Sequence, residues 1–470
     1  MKEVRDDSAT GGGLVFFQNL GLALTAWTER WIPDAWIVAL ILSLIVYAMT
    51  LAWGQVTPFG AVLAWGQGLW ILLTLMAQFS LTLIVAYACA VSPPAYRFLD
   101  WLGSRPNPNK PWQAVMTMAI FSLVTGWINW AFTVVISAIF VPFLARNNPK
   151  ADYRLLVATA YLGIGCMWHA GLSGSGTLIS ATPDNFLIKS GILQSAVPTT
   201  ATVFTGFNIL LTMLTFLLCT ILVTLMTPSP NKAVTVPRDK LDSLITYTPP
   251  VKPTEGLVPA VRMEWWPGWN LLVAFTVFVW LGWWFYTKGL GTWTIDIYNI
   301  VFLGFAALFH YRPKPFLDAC SEGAKNVWGI ILQFPFYAGM FGLITYTKLG
   351  DFLTDFFVKI SSPNTYLPIV YLYSGILNYF IPSGGSKWSI EASYLLQAGR
   401  QLGISDAAVI LAYSWGDMMT DLIQPFFAIP LLAVAGLKFG QIMGYCTVVC
   451  VFYAVMITIC MFFMPLNLGW

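Results

Sequence analysis

Charge is scarce in this chain. Only 10% of its 470 residues are Asp, Glu, Lys or Arg, while 57% are hydrophobic; soluble domains are roughly a quarter charged. That excludes an ordinary water-facing surface. A net charge of +3 is too small to imply a nucleic-acid partner. Histidine is nearly absent: with only His169 and His310, no zinc-type histidine pair is possible at a site. The seven cysteines (Cys89, Cys166, Cys219, Cys320, Cys446, Cys450 and Cys460) lie almost all in apolar segments and form no Cys-x-x-Cys pair. No disulfide framework or cofactor box is visible, and the one-turn spacing of Cys446 and Cys450 suits packing. A G-x-S-x-G nucleophile elbow is also missing. Gly171-Leu172-Ser173-Gly174-Ser175 comes nearest but lacks the second glycine in register. Residues 1–13 are polar, with no short apolar region and small-residue cleavage site, so no removable signal peptide is expected.

What the chain has is apolar length and aromatic rings. Its 22 Trp, 19 Tyr and 33 Phe suit a protein with two membrane interfaces. A spanning helix needs about 20 mostly apolar residues, and residues 36–53, 69–91, 201–226, 265–286, 294–310, 326–347 and 441–465 meet that need. Residues 14–27 are too short and predict an interfacial helix. Four segments are irregular: 112–145, 152–187, 366–396 and 406–437 are too long for one helix or polar at the centre. The Pro-rich, charged stretch 227–264 divides the chain near its middle.

Basic residues cluster at 97–110, 146–154, 232–262 and 312–325. All four clusters share the cytoplasmic side only if 112–145 enters and leaves on one side, as a re-entrant hairpin broken at Gly126-Trp127-Ile128-Asn129. Its arms are then expected to run about three to four turns each. With Lys2, Arg5, Arg30 and Lys438, 18 of the 24 basic residues fall inside. The N-terminus is then cytoplasmic, with nine crossings and two hairpins.

An internal repeat supports this reading. Thr125-Gly126-Trp127-Ile128-Asn129-Trp130 resembles Ser374-Gly375-Ile376-Leu377-Asn378-Tyr379, 249 residues later. Gln78-Phe79-Ser80 recurs as Gln333-Phe334-Pro335 at an offset of 255, and Asp152 aligns with Asp406 at 254. The predicted fold is an all-α polytopic membrane protein of inverted structural repeats, with two re-entrant hairpins and two broken helices. Residues 1–31 form the N-terminus and interfacial helix, 32–226 the first repeat and 227–264 a cytoplasmic linker. A linker helix at 265–286 precedes the second, inverted repeat at 287–470. The hairpin tips and broken helices should converge near the midplane.

The most informative stretch is Pro382-Ser383-Gly384-Gly385-Ser386-Lys387-Trp388, which should break a helix inside an apolar segment. Freed backbone groups within a bilayer need protein or a polar ligand to satisfy them. The first broken helix offers His169, Ser173, Gly174, Ser175 and Thr177, then Thr182 before Pro183-Asp184-Asn185. Closely spaced Gly with interleaved Ser permit unwinding there and offer hydroxyls, carbonyls and amides to a ligand; close packing of small residues is the plainer alternative. The second carries Asp417, Thr420, Asp421 and Gln424; two aspartates four residues apart share a helical face. Intramembrane charges normally face the interior and are functional. Three roles are open to Lys387: anchor for a carboxylate, occupant of a coupling-cation site, or structural partner of Asp417, Asp421 or Glu391. His169 reads as packing or a proton relay, and Trp130 and Trp388 could wall a site.

With these segments in place, the chain resembles the short-chain fatty acid transporter family, bacterial inner-membrane permeases for acetoacetate, butyrate and similar monocarboxylates within a broader ion-transporter superfamily. The resemblance spans nearly the whole length. Ile128-Asn129-Trp130, Gly171 to Ser175, Ala181-Thr182-Pro183 and Gln333-Phe334-Pro335-Phe336-Tyr337-Ala338-Gly339 carry it. So do Asn378, Pro382-Ser383-Gly384-Gly385, Gln424-Pro425-Phe426 and Met443-Gly444-Tyr445-Cys446. It implies an elevator-type carrier, usually a homodimer, with substrate and Na⁺ or H⁺ at the hairpin tips and unwound helices. No other cofactor is implied. The expected substrate residues are Asn129, Trp130, Ser173, Gly174, Ser175, Thr177, Asn378, Ser383, Gly384, Gly385, Ser386 and Lys387. Thr182, Asp417, Thr420, Asp421, Gln424, Glu391 and His169 are the coupling-ion or charge-partner candidates. The chain departs from the family's pattern at Lys387 (neutral or His), Glu391 (an amide), Asp421 (Asn) and His169 (small). Alternatives are a dicarboxylate carrier, in which Lys387 meets a second carboxylate, and a membrane-embedded hydrolase or acyltransferase.

Overall fold

Proline sets several of the helix starts. Its fixed φ and missing N–H suit the first turn of a helix, and Pro58, Pro93, Pro111, Pro313 and Pro363 all stand there. The computed structural model describes residues 27, 30–31, 33, 35–245, 251–255, 258–424 and 426–468. The expected interfacial helix at 14–27 lies outside these apart from Trp27. Helix α1 is Ala35–Trp53, α2 Pro58–Gly68, α3 Leu73–Ala90 and α4 Pro93–Gly103. Then come α5 Pro111–Ile128, α6 Trp130–Asn147, α7 Tyr153–Ala160, α8 Leu162–Cys166 and α9 Ser175–Ala181. Helix α10 is Phe186–Lys189 and α11 Gly206–Leu225, and the linker holds α12 Arg238–Leu244 and α13 Pro259–Glu264. The second half runs α14 Gly268–Lys288, α15 Ile295–His310, α16 Pro313–Ala324, α17 Trp328–Thr345 and α18 Leu349–Ile360. It closes with α19 Pro363–Phe380, α20 Gly384–Gln401, α21 Asp406–Asp417, α22 Ile429–Ala435 and α23 Met443–Met461.

Each of the seven uninterrupted spans read from the sequence is a helix. Among the described residues, eight helices are long and apolar enough to cross a membrane, and α15 is a shorter apolar one. Apolar side chains such as Leu44, Leu210, Met213, Phe275 and Trp283 stand exposed on α1, α11 and α14, where acyl chains replace water. The short helices α2, α4, α16 and α18 were not expected. Apolar runs on either side conceal their boundaries in the sequence.

The hairpin at 112–145 is longer than expected. Its arms α5 and α6 have 18 residues each, about 27 Å or five turns. Asn129 alone separates them. They fold back on each other: Thr125 Oγ1 lies 2.8 Å from Thr133 Oγ1 near the tip, and Lys150 Nζ donates to Asn109 Oδ1 at 2.8 Å at the open end. The segment therefore enters and leaves on one side. The second break is narrower than the motif suggested. Ile381–Ser383 separates α19 from α20, and Gly384 to Trp388 are already helical.

Helix lengths recur. α2 to α6 have 11, 18, 11, 18 and 18 residues; α16 to α20 have 12, 18, 12, 18 and 18. Backbone contacts recur with them. A Cβ on Gly126 would lie 2.4 Å from the Gly163 carbonyl oxygen, and one on Gly163 2.2 Å from that of Ser122. Likewise a Cβ on Gly375 would lie 2.9 Å from the Gly416 oxygen, and one on Gly416 2.4 Å from that of Tyr371. Each hairpin's first arm thus touches a broken helix backbone to backbone, which only glycine permits.

Candidate functional site

Two helix breaks face the two hairpin tips. Between α8 and α9 the chain passes through a single 3₁₀ turn, Trp168–Ala170, and irregular backbone to Gly174. After α21 it tightens into a 3₁₀ helix, Met418–Ile423. Asp417 and Asp421 therefore do not share one regular α-helical face as their spacing suggested. Asp417 ends α21 and meets Lys387, whereas Asp421 sits in the 3₁₀ segment and meets Trp168 and Asn378.

The first cluster is charged and fully buried. Lys387 Nζ lies 2.6 Å from Asp417 Oδ1 and donates to the Ser374 carbonyl oxygen at 2.6 Å and to Ser374 Oγ at 3.0 Å. Glu391 Oε1 is 4.0 Å away, and Ser374 Oγ donates to Glu391 Oε2 at 3.1 Å. An ammonium has three N–H groups, and these near oxygens occupy them. Lys387 also lies 5.1 Å from the centre of the Tyr413 ring, whose hydroxyl donates to the Gly384 carbonyl at 2.5 Å. His169 closes the cluster. Its Nδ1 is 3.2 Å from the Ser414 carbonyl and 3.6 Å from Asp417 Oδ2. A carbonyl only accepts, so the proton sits on Nδ1 and Nε2 is left as an acceptor in the neutral ring.

The second cluster ties the halves together. Asn378 Nδ2 donates to Asp421 Oδ1 at 2.6 Å, and the Trp168 indole N–H to Asp421 Oδ2 at 2.9 Å. Ser173 Oγ donates to the Trp168 carbonyl at 3.3 Å and accepts from the Trp130 amide at 3.0 Å. Asn129 Oδ1 caps α6 through the Phe132 amide at 2.8 Å. Thr420 Oγ1 donates to the Gly375 carbonyl at 2.8 Å, and Gln424 Nε2 to that of Tyr379 at 3.1 Å. One continuous path of bonds therefore runs from one hairpin tip to the other through both breaks.

Between the clusters lies the start of α20. The amides of Gly384, Gly385 and Ser386 occupy its first turn, where helix geometry gives them no i−4 partner. A Cβ on Gly384 would fall 2.4 Å from His169 Nε2 and 2.9 Å from Asp417 Oδ2; one on Gly385 would fall 2.2 Å from the Phe79 ring. Five buried polar atoms around these breaks have no hydrogen-bond partner: His169 Nε2, Asp417 Oδ2, Glu391 Oε1, Asn378 Oδ1 and Asn129 Nδ2. Buried polar atoms are normally satisfied, so these five orphans mark polar groups that flank the breaks without completing their bonds.

Not every expected residue joins. Thr182 bonds Leu178 and the Ile295 amide, holding α15 against α9. Thr177 Oγ1 donates to the Gly174 carbonyl and Ser383 Oγ to Ser386 Oγ, both local contacts. Ser175 is buried beside them. Trp388 donates its indole N–H to Ser180 Oγ at 3.3 Å. Sequence reading missed Ser374, Trp168 and Tyr413 as members of the site. Trp168 and Tyr413 had a signal: an indole N–H or phenol flanking a polar break must find a partner.

This is a multi-pass α-helical membrane protein with a polar, partly ionic centre built from broken helices, the architecture of a transporter. Over residues 16–464 the chain matches the family described as short chain fatty acid transporter. A protein of Escherichia coli (strain K12) named "Putative short-chain fatty acid transporter" is 31% identical over 436 residues, covering 93% of this chain and 97% of its own. One of the same name from Haemophilus influenzae is 30% identical, covering 94% and 98%. The chain belongs to the short chain fatty acid transporter family, and it is not an enzyme. Two solved structures share its fold. The YdaH transporter of Alcanivorax borkumensis has a TM-score of 0.57 at 17% identity, covering 93% of this chain and all of its own. MtrF of Neisseria gonorrhoeae has 0.53 at 12%, covering 94% and 96%.

Proposed function

We propose that this protein carries short-chain fatty acids, or short keto or hydroxy acids, across the bacterial inner membrane by alternating access with cation symport. The observation that carries the reading is the first turn of α20. Its free amides and helix dipole favour a carboxylate, and it lies at the meeting point of both breaks. Gly384, Gly385 and Ser386 would hold the carboxylate. Ser383, Asn378, Asn129, Trp130 and the Ser173 to Thr177 turn line the approach to the short acyl chain. The recurrent helix lengths and glycine contacts favour two inverted repeats joined by the 227–264 linker and α14, moving as an elevator within a homodimer. The dicarboxylate reading has less support, because every donor of Lys387 is engaged.

Counterflow in proteoliposomes tests this. Liposomes preloaded with butyrate or acetoacetate should accumulate the labelled acid, and succinate should compete poorly. No counterflow with any short monocarboxylate would remove the assignment. Topology has its own check. Asn148 is buried, bonding the Gly103 and Leu144 carbonyls, so the reporter belongs at exposed Lys150. Cysteines at Asn109 and Lys150 in a Cys-less background should both label from the cytoplasm; labelling from the periplasm would invert the orientation.

A further inference from the structure

We propose that the Lys387 ammonium is a built-in cation: it fills an oxygen cage formed by Asp417, Ser374 and Glu391, so this carrier takes no sodium ion there. The inference rests on the carboxylate-carrier reading and specifies its coupling. The cage pairs a carboxylate from the end of a broken helix with a carbonyl and hydroxyl of the facing hairpin, the donor types such breaks offer a coupling ion. Here a tethered ammonium takes those donors, at 2.6 Å from Asp417 Oδ1, 2.6 Å from the Ser374 carbonyl and 3.0 Å from Ser374 Oγ. No N–H remains to hold substrate, which removes the anchoring role.

A purely structural ion pair does not account for the arrangement either. The equivalent junction of the first half, around Gly126 and Gly163, is closed by hydroxyls. Thr125 Oγ1 lies 2.8 Å from Thr133 Oγ1, which donates to the Ser122 carbonyl at 3.1 Å, with Ser137 Oγ at 3.4 Å. The same backbone contact is thus built without a charge. Lys387 faces Asp417 and Tyr413 from α21, His169 from the first break, Ser374 from α19 and Glu391 on its own helix. Asp421 lies in the adjoining 3₁₀ segment, and the Tyr373 and Tyr394 hydroxyls bond each other beyond Glu391 at 2.8 Å. Among the described residues, Lys387 is the only buried lysine or arginine.

The test uses the full-length protein in proteoliposomes and in detergent. Butyrate counterflow by the native protein should change less than about twofold when choline replaces Na⁺, a small change in coupling terms. Abolition by choline would overturn the inference while leaving the carrier reading intact; absence of counterflow in either salt would instead sink the carrier reading. Lys387→Ala empties the cage and leaves Asp417 unpaired. It should acquire Na⁺-dependent uptake, with a Na⁺-dependent rise in melting temperature absent from the native protein. A variant that folds but ignores Na⁺ in both assays overturns the inference in favour of a structural pair. If Lys387→Ala fails to reach the membrane, Lys387→Ser, which puts a small neutral hydroxyl in place of the long ammonium side chain, gives the same readouts, and the choline substitution on the native protein decides by itself.

Discussion

The two halves of this transporter build one junction in two chemistries. In each, a glycine on the first hairpin arm meets a glycine of a broken helix, Gly126 on Gly163 and Gly375 on Gly416. Thr125, Thr133 and Ser137 close the first junction; Ser374, Lys387 and Glu391 occupy the corresponding places in the second, with Asp417 beside them. The first is neutral and satisfied locally, largely by backbone. The second gathers two carboxylates, an ammonium and the His169 imidazole without exposure to solvent, with buried Asp421 in the adjoining 3₁₀ segment. Burying such charges costs several kcal/mol per ion before pairing. A framework that closes with hydroxyls does not need them, so on the proposed reading the second junction holds the groups that answer to a ligand or ion.

That contrast is open to attack by mutation. The largest effects should come from the glycines. Gly126→Val forces a side chain into the Gly163 backbone and should remove folded protein from the membrane, measured by fluorescence-detected size exclusion. Gly384→Val should leave folded protein but reduce uptake to background, because its Cβ meets His169 and Asp417 where the carboxylate would sit. Folded, fully active Gly384→Val would move the site away from α20.

Asp421→Ala comes next. It orphans the Trp168 and Asn378 donors, at about 1–3 kcal/mol each, and should lower the melting temperature sharply. Asp421→Asn keeps one acceptor and should lose less; equal losses would mean that the path between the tips carries little. Asn129→Ala removes a helix cap worth about 1 kcal/mol, and Asn129→Asp should restore most of it. A large loss of uptake at unchanged stability in Asn129→Ala would show that the first half is more than scaffold. Ser374→Ala should be mildest in stability, about 1 kcal/mol, read by the same thermal assay. No shift at all would mean its hydroxyl adds nothing to the Lys387 cluster.

Much of this was legible because membrane folding writes itself in polarity. Lys387 and Asp417 stand out in apolar runs; Gly126 with Asn129 marks the first break, and the matching Gly375 and Asn378 lie in the helix just before the second, at Ile381–Ser383. The first hairpin's one-sided entry followed from basic clusters, and the Lys150–Asn109 bond bears it out. Less legible was where regular helix resumes. Gly384 and Gly385 read as a break yet begin α20, because packing against Phe79 and His169 overrides glycine's weak helix preference. Ser374 escaped notice because its role depends on α20 and α21 folding over it, and no local pattern encodes that meeting. The Asp417 and Asp421 spacing misled for a related reason: tightening into 3₁₀ geometry aims the two carboxylates at different partners.

The Lys387–Asp417 contact also has an electrical meaning. A single charge crossing the membrane field does about 2.3 kcal/mol of work per 100 mV, so a lone ammonium on a moving element would bind transport to the cell's voltage. Held 2.6 Å from its carboxylate, it would cross, on the proposed elevator reading, as half of a dipole with no net charge. On that reading the return of the empty carrier would be indifferent to voltage as far as this pair is concerned, leaving Glu391 and Asp421 to set the rest. Uptake by the native protein should therefore respond less to an imposed potassium-diffusion potential than uptake by Lys387→Met, in which Asp417 travels alone.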